Sequence, residues 1–223
     1  MKLRLFTVFL TVVLSLFFVS CKEGEDKIPG HIFDGTSARF AIVVSKKKFV
    51  LSVYDTDFKK VASYRIGYGL NPDMLPKLFQ NDKRTPEGMY RIDEILSMDA
   101  SRETESYKKI KYMNGVYFSS KAGYSKFNNP EADLGDNAYG PRFFSIDYPN
   151  EKDRERYAKA LEKGEIPFEK GSPLPIGYGI AIHGNNDEAS IGHLSSSGCV
   201  RMYNRDIVEL DRFVETGTPV FIY

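Results

Sequence analysis

Three short apolar runs, one after another, limit what this chain can fold into. They are Arg39-Phe-Ala-Ile-Val-Val44, Lys48-Phe-Val-Leu-Ser-Val-Tyr54 and Val61-Ala-Ser-Tyr-Arg-Ile-Gly-Tyr68. β-Branched and aromatic residues dominate them, and their length and breaks suit strands rather than helices. The charged turn Ser45-Lys46-Lys47 predicts a hairpin between the first two, and the third run extends it to a meander. Gly67 and Gly69 mark a place where the backbone bends or another segment comes close.

The remaining punctuation predicts one mainly β domain with a few helices (α+β), over residues 38–223. Leu70 to Glu87 reads as loop, and Gly88 to Leu96 as a short strand. Residues 97–142 are polar and mixed, and read as a long inserted loop region holding turns and the segment Gly115–Ser119. Its aromatics, among them Tyr112, Tyr117, Phe118, Tyr124 and Phe127, suit either a cover over a ligand or a satellite core. Arg142 to Tyr148 is a strand. Glu151 to Lys163 is a helix ended by Gly164, with Tyr157, Ala158 and Leu161 on one side. Tyr178 to His183 is a strand, and Arg205 to Val214 a helix with Ile207, Val208, Leu210 and Val214 inward. Pro219 to Tyr223 is the last strand. A chain of 223 residues, 42% hydrophobic, supports one core of this kind with a large insertion.

The N-terminus carries an address. Met1-Lys2-Leu3-Arg4 is followed by an uncharged run from Leu5 to Val19, shorter than the roughly 20 residues that cross a bilayer. That layout predicts a secretory signal over residues 1–20. Phe18-Val19-Ser20-Cys21 resembles a bacterial lipobox, which makes Cys21 the lipid-bearing residue and residues 21–37 a polar tether. The expected location is therefore outside the cytoplasm: a lipid-anchored protein of the periplasm or cell envelope, on the outer membrane in a Gram-negative host. With 31 basic and 30 acidic residues and no basic cluster, a nucleic-acid partner is excluded.

Export changes the meaning of the other cysteine. With Cys21 lipidated, Cys199 has no partner in the chain, which leaves an intermolecular link, a reactive thiol or an inert buried one. Its setting, Ser195-Ser-Ser-Gly-Cys199-Val-Arg201, is not that of a core strand and favours the reactive thiol. A thiolate nucleophile needs a base and donors aimed at the developing oxyanion. His183 ends an apolar strand 16 residues before Cys199 and is the candidate base. Gly198, Ser196, Ser197 and Gly184 are candidates for the oxyanion or substrate-binding side. Arg201 suits either a substrate carboxylate or a salt bridge with Asp206 or Glu209. His193 is a secondary candidate that reads more readily as structural, and Asn204 is expected to cap the following helix. His183, His193 and Cys199 match no familiar zinc spacing, so neither a metal nor a cofactor is expected.

The stretch Ile182 to Ile207, "IHGNNDEASIGHLSSSGCVRMYNRDI", resembles the L,D-transpeptidase family with its YkuD-type catalytic domain. His183-Gly184 and Ser196-x-Gly198-Cys199-x-Arg201 fall on the family's motif. "KRTPEGMYRI" (Lys83 to Ile92) resembles its Thr-Pro-x-Gly segment, and "IDYPNEKDR" (Ile146 to Arg154) a stretch found in some subgroups. The resemblance implies a catalytic β-sandwich and a peptidoglycan stem peptide as substrate. It further implies attack by Cys199, with His183 as base, on an L,D-peptide carbonyl, release of D-alanine, and transfer of the acyl group from a thioester to an amine. The acceptor is a second stem peptide or a wall-linked lipoprotein, and with water the same chemistry is an L,D-carboxypeptidase or amidase. Ser197 stands where many members have histidine, which withholds the acceptor's identity. A non-catalytic peptidoglycan-binding lipoprotein is the reading from a different class.

Overall fold

The structure, a computed structural model, describes residues 26–223; the signal segment and Cys21 lie outside the described residues. The expected meander is present as β1 (Phe40–Ser45), β2 (Val50–Asp55) and β3 (Lys60–Gly69). β1 and β2 are antiparallel, Phe40 opposite Asp55 and Ser45 opposite Val50, and β2 pairs antiparallel with β3. Later strands complete the sheet: β4 (Gly88–Ser97), β7 (Arg142–Ile146), β10 (Ala181–His183), β11 (Leu194–Ser196), β12 (Val200–Met202) and β13 (Pro219–Ile222). The order is β11-β3-β12-β10-β7-β4-β13-β1-β2, and the β2–β3 pairing closes the sheet on itself. Closure removes most exposed strand edges. Two small hairpins stand apart: β5 (Ser125–Lys126) with β6 (Asn129–Asp133), and β8 (Phe168–Glu169) with β9 (Ser172–Pro173).

The period of two along each strand sorts its side chains between inside and outside. Ile42, Val44, Leu51, Val53, Ile66, Phe144, Ile182, Met202 and Val220 point into the main core, nearly all without solvent contact. Burying each such side chain stabilises the fold by roughly 1.5–3 kcal/mol. The alternate residues face outward under two covers. Ala41 and Val43 pack with Ile32, whose segment was expected as a free tether. From Asp26 onward that segment is docked, because the Asp26 carboxylate accepts hydrogen bonds from Lys48 (2.8 Å), Ser52 (3.1 Å) and Tyr54 (2.5 Å) and pairs with Lys60 (2.9 Å). On the other side Leu96, Phe143 and Ala181 pack against Ile110.

Ile110 belongs to a helix, α1 (Glu105–Asn114), within the region expected to hold only turns. Thr104 caps it by accepting from the Tyr107 N–H. α2 (Glu151–Glu162) starts on a reciprocal Asn150–Asp153 capping box, and Gly164 follows its C-cap as expected. Its inward residues are Asp153 and Ala160 rather than Ala158. α3 (Asn204–Leu210) is shorter than expected, a 3-10 turn carrying the chain to Phe213, and Val208 is exposed. Of the expected strand Tyr178–His183, only Ala181–His183 pairs as strand.

The loop between β3 and β4 is held by polar groups rather than by packing. The Lys46 ammonium donates to Met74 O and pairs with Glu87 at 2.7 Å. The Asp82 carboxylate accepts from the N–H groups of Leu78, Phe79 and Arg84. Thr85 ties the end of β3 to the turn before Cys199, accepting from Gly69 N–H (3.0 Å) and donating to Gly198 O (2.8 Å). A Cβ on Gly69 would run into the backbone of residues 83–85, so this close approach requires glycine.

Candidate active site

β10 and β12 run parallel, with Ile182 beside Val200 and His183 beside Arg201. Side chains of register partners share a face, and Cys199 sits two residues before Arg201. Cys199, Arg201 and His183 therefore emerge on one side of the sheet, opposite the main core. All three line one cavity of about 400 Å³, walled by Lys77, Gln80, Phe118, Tyr124, Tyr139 and the segment Gly177–Ile180 among others.

His183 is buried and tightly held. The Phe143 ring stacks on the imidazole at 5.7 Å, and Tyr139 meets it edge-on at 5.2 Å. Nδ1 lies 2.5 Å from the Gly184 carbonyl, so it carries the proton and Nε2 is left as the basic nitrogen. Gly184 is thus the orienting partner, and its own N–H donates to Arg142 O. Burial first, and the Arg201 charge second, push the His183 pKa down to about 3. The imidazole is neutral at any physiological pH.

Cys199 is a free, partly exposed thiol that donates to Gly179 O at 3.5 Å. Burial raises its pKa, while an Ala181 backbone hydrogen bond, Arg201 and Lys77 act in the opposite direction. Both members of the pair are neutral at rest, so a proton moves only as the sulfur attacks.

The turn before the thiol is closed by its own hydrogen bonds. The Gly198 N–H, a candidate oxyanion donor, is directed at the Ser196 hydroxyl (3.0 Å), and that hydroxyl donates to Cys199 O (2.6 Å). Ser196 and Gly198 are thus bonded to each other within the turn, and Ser196 also lines the cavity. Gly198 has φ +142°, and a Cβ there would clash with the Arg84 carbonyl, so only glycine fits. Ser197 is exposed and lines the cavity.

Arg201 makes no ion pair with Asp206 or Glu209 among the described residues. Its Nη1 donates to Ser195 O at 2.9 Å, and its buried Nε has no partner among them. It also walls a second cavity of about 280 Å³, together with Ser197, Tyr124, Leu134, Lys126 and Asp187. His193 stands apart, stacked on Phe127 at 4.3 Å. Asn204 does not cap α3. Its amide clamps Asn185, accepting from the backbone N–H (2.9 Å) and donating to the carbonyl (2.8 Å). A Cβ on Gly184 would collide with this amide and with Pro141.

Only some of the inserted aromatics reach the cavity. Phe118 and Tyr124 line the cavity, whereas Tyr112 and Tyr117 are largely exposed. Sequence reasoning missed Lys77, Tyr139 and Phe143. A lysine in a polar loop, a tyrosine in a mixed one and a phenylalanine in an apolar strand carry no local sign of sharing a cavity with a thiol. Thr85 had a sign, its place in the Thr-Pro-x-Gly segment.

Comparison with known proteins gives the family. Residues 39–222 match the family described as YkuD, L,D-transpeptidase catalytic domain. The chain is 30% identical to the putative L,D-transpeptidase YqjB of Bacillus subtilis over 61% of its length and 59% of that protein. It is 54% identical to the putative L,D-transpeptidase YkuD of Bacillus subtilis over 18% of this chain and 25% of that one. The alignments thus span less than two thirds of these relatives. Among solved structures, Bdellovibrio bacteriovorus Bd1075 aligns over 83% of this chain and 48% of its own, at 23% identity and TM-score 0.48. An L,D-transpeptidase from Mycobacterium smegmatis aligns over 83% of this chain and 59% of its own, at 13% identity and TM-score 0.44.

Proposed function

Because the chain belongs to the YkuD L,D-transpeptidase catalytic-domain family, we propose that it is a cysteine-dependent acyltransferase acting on peptidoglycan stem peptides. The observation that carries this reading is Cys199 sharing a cavity with His183, whose Nδ1 is committed to Gly184 O and whose Nε2 keeps its lone pair.

The Cys199 sulfur attacks the carbonyl carbon of the L,D-peptide bond while its proton passes to His183 Nε2. Electrons move onto the carbonyl oxygen, and the Arg201 charge favours that developing anion. As the tetrahedral intermediate collapses, the C–N bond breaks and the imidazolium returns its proton to the leaving D-alanine nitrogen. The depressed His183 pKa makes the imidazolium a strong acid at that step. The thioester that remains is attacked by an amine, whose proton goes to Nε2, and Cys199 is regenerated as a thiol. The second cavity, sharing Arg201 and Ser197 with the first, supports an amine acceptor delivered from that side. A stem peptide and a wall-linked lipoprotein both present such an amine. Cys21 is the lipid attachment point in this reading, and the enzyme works outside the cytoplasm on a membrane surface.

The test is incubation with purified tetrapeptide muropeptides followed by mass spectrometry. Crosslinked dimers or D-amino-acid exchange are expected, and Cys199→Ala should abolish both while leaving the circular dichroism spectrum unchanged. Tripeptide as sole product would replace transfer with hydrolysis. Unchanged muropeptides with folded, reduced protein would overturn the reading.

A further inference from the structure

Lys77 has no part in the chemistry described above, yet it lines the same cavity as Cys199, His183 and Arg201. It is almost fully buried, at 4% exposure. Its ammonium donates to Phe79 O (3.1 Å) and to the Asp82 carboxylate (2.7 Å). An ammonium has three donors, so these two acceptors leave one over.

Holding the loop is a poor explanation for a lysine here. Asp82 already accepts three backbone N–H groups, at 2.7, 3.2 and 3.0 Å. Buried ion pairs add little stability over apolar side chains of similar volume, because both charges are desolvated. A cation kept on a cavity wall at that cost fits an anionic ligand. Lys77 is also near enough to favour the Cys199 thiolate, as Arg201 does. The cavity thus holds two cations close to one nucleophile. Of these two cations, Arg201 also lines the second cavity and Lys77 only the first.

In the donor of the proposed reaction, the residue that leaves ends in a carboxylate. One residue spans about 3.5 Å, so that carboxylate stays within a residue's length of the carbon under attack. We propose that Lys77 is the seat of this terminal carboxylate, with Asp82 holding the ammonium in place. The donor is then read by where it ends: an amidated or extended C-terminus forfeits the contact. This assignment rests on the proposed stem-peptide function.

Binding, measured without turnover, tests it. Calorimetric titration of Cys199→Ala protein with a tetrapeptide bearing a free C-terminal carboxylate, and with its carboxamide, should show the acid binding about 10- to 100-fold tighter. Adding Lys77→Met should remove that preference and leave carboxamide binding unchanged. Lys77→Met leaves a buried carboxylate without its cation, so Lys77→Met/Asp82→Asn serves as the second variant and should give the same result. A preference that survives both variants overturns the assignment, as does an equal loss of binding for both peptides. No binding of either peptide to the Cys199→Ala protein overturns the stem-peptide reading and the assignment together. Binding that ignores the end group overturns Lys77 alone.

Discussion

His183 owes its usefulness to where its protons cannot go. Nδ1 is committed to Gly184 O, and burial beside Arg201 opposes a second proton. The unfolded chain binds that proton near the ordinary pKa of about 6.5, the folded chain only near 3. Stability contributed by neutral His183 is therefore complete above pH 6.5 and is lost as pH falls from there toward 3. Across that window the wild type should lose about 1.4 kcal/mol per pH unit more than His183→Asn, read from urea melts at successive pH values. Part of this site was legible in the sequence. His183 at a strand end and Cys199 after Gly198 were visible because strand alternation and a glycine turn are local signals. The use of the Gly198 N–H within the turn and the Asn204–Asn185 clamp were not. They join residues by folded distance, and an asparagine before a helix looks the same as a cap until its amide is located.

Among the elements, the meander and α2 were readable and α1 was not. The strands carry apolar alternation, and α2 carries its capping box in the local order Asn150 to Asp153. α1 buries only Ile110 and Asn114, so it has almost no apolar stripe to detect. Its caps were the available signal, Thr104 before it and Gly115 after it. The helix matters beyond its size, because Ile110 packs in the cluster that contains Phe143 and borders Cys199. Ile110→Ala should cost about 2–5 kcal/mol in denaturant unfolding. If the cavity wall loosens with it, the stacking of Phe143 on His183 weakens and kcat falls further than KM changes.

At the scale of the whole molecule, the closed sheet is covered on one side by the inserted region and on the other by the segment that begins at Asp26. Length and composition indicated one core, and nothing in a polar, glycine-bearing stretch marked that segment as docked. Besides the packing of Ile32, its start is fastened by one carboxylate, held well below the usual range because Lys48, Tyr54 and Lys60 donate to it against the opposing effect of burial. Asp26→Asn should release the segment at a cost of about 1–3 kcal/mol, with faster proteolysis between residues 26 and 38 as the readout. In the proposed lipidated form, the same latch sets a working radius. Cys21 precedes Asp26 by five residues, a span of at most about 17 Å when extended. A lipid on Cys21 would then hold the enzyme against its membrane like a boat on a short mooring, and the wall would have to come within reach of the cleft.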